Sequence, residues 1–79
     1  MDHQTTWQSA LGELELTLSK ANFTTWFKDT FISSLENGKA VIAVPNAFTK
    51  AWFEKKYHEA IVKALRAATN HGVREVSYR

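Results

Sequence analysis

Seventy-nine residues without a cysteine allow one small domain near the lower limit for a self-sufficient core, and rule out disulfides or thiolate metal sites as its staples. No apolar run approaches the ~18 residues of a membrane span, and residues 1–11 lack the basic and apolar regions of a signal peptide, so the reading is a soluble, cytoplasmic protein with no membrane contact. The formal net charge of +2 is small but uneven: two lysines stand against five acidic residues over 1–38, a net −3, and eight basic residues against three acidic ones over 39–79, a net +5. A two-signed molecule suits self-association or the steering of a charged partner.

Trp7, Leu11, Leu14 and Leu18 follow the i, i+4, i+7, i+11 spacing of a helix face, with Ala10 beside them. Thr5 or Thr6 is placed to cap this helix, and Gly12 inside it leaves room for close packing. Ser19 ends the first helix and caps a second over residues 20–28, where Phe23, Trp26 and Phe27 stand at i, i+3 and i+4. A strand over 30–36 then meets Asn37–Gly38, the favoured pair for a two-residue type I′ hairpin turn. That turn pairs Leu35 with Ala40, Ser33 with Ile42 and Phe31 with Val44 on one face. On the other it sets Glu36 against Lys39 and Ser34 against Val41.

Pro45 stops the second strand, because it cannot donate to a ladder, and Asn46 follows in an N-cap position. A third helix is predicted over 47–68, with Phe53, Tyr57, Ala60, Ile61, Ala64, Leu65 and Ala68 on one side and Phe48 and Trp52 in its first turns. Glu59–Lys63 makes an i, i+4 pair. Gly72 suits the end of this helix, and residues 73–78 read as a last strand with Val76 and Tyr78 facing the core. The order is α-α-β-β-α-β, an α+β class with a small three-stranded sheet packed on helices.

No catalytic constellation is present. His3, His58 and His71 lack metal-ligand spacing and read as surface residues. Ser9, Ser19, Ser33 and Ser34 fall in no nucleophile motif, and Gly12, Gly38 and Gly72 are too far apart for a phosphate loop. The chain therefore reads as a binding module rather than an enzyme, with no cofactor and no metal implied. Element order alone suggests a K-homology-like nucleic-acid binder, but the Gly-x-x-Gly loop of that class is missing. Lys50, Lys55, Lys56, Lys63 and Arg66 on the third helix offer weak, salt-dependent binding of single-stranded DNA as the alternative reading. Phe48, beside the Asn46 cap, is the aromatic placed to stay partly exposed and anchor a partner.

Phe23-Thr24-Thr25-Trp26 and Pro45-Asn46-Ala47-Phe48, followed by AWFEKKY and preceded by Trp7, resemble the N-terminal domain (domain I) of the bacterial replication initiator DnaA. The resemblance covers nearly all of residues 1–79, read here as a single interaction domain with a K-homology-like fold. It implies a protein-interaction module that self-associates at the origin, helps recruit the replicative helicase and docks regulators of initiation. Carried over residue by residue, it puts the helicase and regulator surface on Asn22, Thr25, Trp26, Asn46 and Phe48. Asn22 stands where some relatives carry an acidic residue. Self-association falls on Trp7, whose place in the first turn of the first helix leaves its ring free to anchor a weak symmetric contact.

Overall fold

The computed structural model describes residues 2–79. Its first helix, α1 (His3–Thr17), starts earlier than the threonines suggest: the Asp2 carboxylate, not Thr5 or Thr6, caps it by accepting from the Thr5 N–H at 2.6 Å. That bond holds the Asp2 carboxyl below its usual value. Thr6 is buried instead, and its hydroxyl donates to the Asp2 carbonyl at 2.9 Å. The earlier start moves Trp7 off the fraying end, and with it the expected exposure is corrected. Trp7 is 3% exposed in the core with Ala10 and Leu14, and its indole N–H donates to Thr30 Oγ1 at 3.1 Å.

Gly12 meets nothing within 4 Å of where a Cβ would sit, so the close packing allowed for there does not occur. With no neighbour to offend, Gly12→Ala should stabilise the domain by roughly 1 kcal/mol through backbone entropy. Urea midpoints of the two proteins check this, and a lower midpoint for alanine would contradict it. Ser19 caps α2 (Lys20–Phe27) as its position suggests, accepting from the Asn22 N–H at 3.2 Å.

Strands β1 (Phe31–Glu36) and β2 (Lys39–Ala43) close through Asn37 and Gly38, both at positive φ (52° and 79°), as a type I′ turn requires. Near the turn the register is the predicted one, with Glu36 opposite Lys39, Leu35 opposite Ala40 and Ser34 opposite Val41. Beyond it the prediction fails. A bulge between Ile32 and Ser34 sets Ile32, not Ser33, opposite Ile42, and Phe31 opposite Ala43 rather than Val44. The physical reason is burial. The regular register would press the Ser33 hydroxyl into an apolar face and turn Ile32 to solvent, whereas the bulge buries Ile32 and leaves Phe31 59% exposed.

A third strand, β3 (Glu75–Tyr78), runs parallel to β2 and completes the order β1-β2-β3. Arg74 and Glu75 both donate N–H groups to the Gly38 carbonyl, at 2.7 and 3.0 Å. The Lys39 ammonium lies 3.6 Å from the Glu75 carboxylate. Among the described residues, Glu59–Lys63 does not close into an ion pair.

The long helical stretch is not one uninterrupted α-helix. α3 (Ala47–Trp52) and α4 (His58–Ala68) are joined by a π turn, Phe53–Tyr57, a wider coil that the apolar spacing does not announce. It keeps Glu54, Lys55 and Lys56 outside while Phe53 and Tyr57 both reach the core. Ile61, Ala64 and Leu65 continue that buried stripe along α4. The helix ends at Ala68, and the left-handed residues after it are Asn70 and His71 (φ 54° and 68°), not Gly72. The order α-α-β-β-α-β therefore stands, with a mixed three-stranded sheet under the helices.

Candidate functional site: an aromatic shelf between the second and third helices

Asn46 decides where α3 begins. Its side-chain oxygen accepts from the Thr49 N–H at 2.8 Å, satisfying one of the free donors of the first turn. Phe48 is thereby held on that turn, with its ring 71% exposed. Phe48, Trp52 and Lys56 recur at i, i+4 and i+8 and so lie along one side of the helix.

Trp26, near the end of α2, stacks on two of them. Its ring centroid lies 5.7 Å from Phe48 at an interplanar angle of 21°, and 5.1 Å from Trp52 at 20°. The Lys56 ammonium sits 5.6 Å from the centre of the Trp52 ring, in reach of the negative ring face. The stack thus grades from an exposed ring, Phe48, to two half-buried ones, Trp26 and Trp52. Its inner end is tied to the core, since Trp52 meets Tyr57 edge-on at 6.4 Å and Tyr57 in turn packs on Phe27 at 5.7 Å. The Trp52 indole N–H is buried without a partner, a cost the stack must offset.

The structure brings Trp26 and Phe48 into direct contact. Asn22 lies one turn before Trp26 on the same side of α2, Thr25 stands at i+3 from Asn22 beside that side, and both are exposed. Asn46 borders the shelf with its oxygen committed to the cap. Trp52 and Lys56 belong to the shelf but not to the partner-binding set read from the sequence, which gives Lys56 to single-strand binding instead. The i, i+4, i+8 spacing from Phe48 is the signal in the sequence that could have found them. Trp7 is not part of this surface.

The four lysines assigned to single-strand binding are divided. Lys56 lies over Trp52, Lys63 borders the cleft between α1 and α4, Lys55 is exposed and Lys50 half-buried. His58, read as a surface residue, is half-buried, with Nδ1 hydrogen-bonded to the Tyr78 hydroxyl at 2.9 Å. Burial, with a smaller contribution from Glu54, holds the Tyr78 phenol well above its usual value. Chemically the shelf offers a firm apolar surface edged by amide, hydroxyl and ammonium groups, and no nucleophile paired with a base.

Compared with known families, the sequence matches the model of the DnaA N-terminal domain over residues 4–67. The match contains every residue of the shelf and stops short of β3.

Proposed function

The chain belongs to the DnaA N-terminal domain family, and from that membership we propose that its shelf docks the protein partners of replication initiation. Membership makes the chain a replication-initiator module. The finer reading is that Trp26 and Phe48 anchor initiation regulators and the replicative helicase, with Asn22, Thr25 and Asn46 as the polar rim. The observation that carries it is the exposed Phe48 ring stacked on Trp26. A large ring held in one orientation before binding loses little rotamer freedom when a partner covers it. Such rings, at the centre of a patch, commonly supply most of an interface's energy.

Phe48→Ala tests this directly. The ring is mostly in water already, so the melting temperature should stay close to that of the parent. Affinity for the cognate helicase or regulator should fall by about 2 kcal/mol, roughly thirtyfold in Kd. Calorimetric titration alongside a thermal melt reads both. A variant that unfolds would make Phe48 a staple of the helix start and remove the docking role.

A further inference from the structure

A second surface shares no side chain with the shelf. β3 lies at the edge of the sheet. On its paired side, the N–H groups of Glu75 and Arg79 donate to the carbonyls of Gly38 and Ile42 at 3.0 and 2.9 Å. Strand alternation therefore turns the backbone groups of Val76 and Tyr78 away from β2, toward the open edge. Beside that strand, the flank of α4 and the approach to β3 border an open groove of about 790 Å³. Val62, Ala67 and Val76 give it an aliphatic floor, and Lys63, Arg66 and Arg74 a cationic rim. Of the two opposing carboxylates, Glu59 and Glu75, the second already faces Lys39 at 3.6 Å. The Arg74 guanidinium is held in place by donating to the Asn37 carbonyl at 3.1 Å.

We propose that this edge takes an extended acidic segment of a partner protein as a fourth strand beside β3. The segment's backbone would meet the outward groups of Val76 and Tyr78. The side chains of one parity would face α4, where carboxylates would lay their methylene stems over the aliphatic floor and meet Lys63, Arg66 and Arg74, while the aliphatic residues between them would lie on the other face of the sheet. A single-stranded nucleic acid fits less well. The rings lining the groove are the half-buried His58 and the exposed His71 rather than Phe, Trp or Tyr, and a phosphodiester chain cannot continue a strand ladder. This surface is additional to the shelf and does not depend on it.

The probe is a labelled octapeptide alternating glutamate and valine, followed by fluorescence anisotropy, with a lysine–valine octapeptide as its control. Saturable binding of the first and none of the second is expected. Hydrogen exchange should slow at the Val76 and Tyr78 amides, and Phe48→Ala should leave the affinity unchanged. Arg66→Glu combined with Arg74→Glu should weaken binding at least about tenfold. Both arginines are exposed, and Lys63→Glu is the second variant if the pair disturbs folding. Equal binding of the two peptides, an unchanged affinity in the charge variants, unprotected edge amides, or an oligothymidine that binds this groove where the glutamate peptide does not would each overturn the proposal.

Discussion

Trp7→Ala is expected to lower the stability of the domain by about 3–5 kcal/mol, the usual cost of emptying a large aromatic site in a core. For a chain of this size that is much of a total on the order of 5–10 kcal/mol. The ring is nearly fully buried and its N–H is satisfied by Thr30, whose own hydroxyl donates to the Phe27 carbonyl at 2.7 Å. One residue thus links α1, the end of α2 and the entry to β1. Urea denaturation should show a lower midpoint with an unchanged slope. The exposed ring at this end is Phe31, which borders a cleft with Trp7 and with His3, Gln4 and Gln8 of α1 and would be the anchor if self-association used this end. Phe31→Ser should change stability by no more than about 0.5 kcal/mol while reducing any concentration-dependent sedimentation. The reverse pattern, association lost and stability kept in Trp7→Ala, would restore the exposed-anchor role and discard the burial argument.

What could be read from the sequence was local. Asn37–Gly38 carries its turn because both positions need positive φ and those two residues tolerate it. Asn46 carries its cap because an amide side chain reaches the third N–H of the helix it begins. Phe53, Tyr57, Ile61 and Leu65 declare one buried side by spacing alone. What escaped depends on partners distant in sequence. The fate of Trp7 rests on Thr30, 23 residues away. The bulge depends on which of Ile32 and Ser33 meets Ile42 across the sheet. The π turn has no spacing signature of its own. At the shelf, the resemblance put Trp26 and Phe48 on one surface, while their stacking and the part of Trp52 follow only from how α2 meets α3.

Phe53→Ala should have the other large effect, and it separates loss of fold from loss of the docking surface. Phe53 is fully buried and its ring meets three others: Phe27 at 4.7 Å, Tyr78 at 5.8 Å and Tyr57 at 6.2 Å. Those rings come from α2, β3 and the π turn, so alanine leaves a cavity where three elements converge. The expected loss is again about 3–5 kcal/mol, with a sizeable unfolded fraction at 37 °C. Phe53→Leu, which refills part of that space, should recover a good share of it. Phe48 stands five positions earlier and touches none of those three rings in the stacks described. Binding of the cognate partner should therefore fall in both alanine variants for different reasons. An osmolyte such as trimethylamine oxide, which favours the compact state, tells them apart. Partner binding by Phe53→Ala should return in step with the folded fraction seen by circular dichroism, because Trp26, Phe48 and Trp52 are intact. Phe48→Ala is already folded and should gain nothing. If Phe53→Ala regains its fold but not its binding, the shelf extends into the core and the two do not act as separate units.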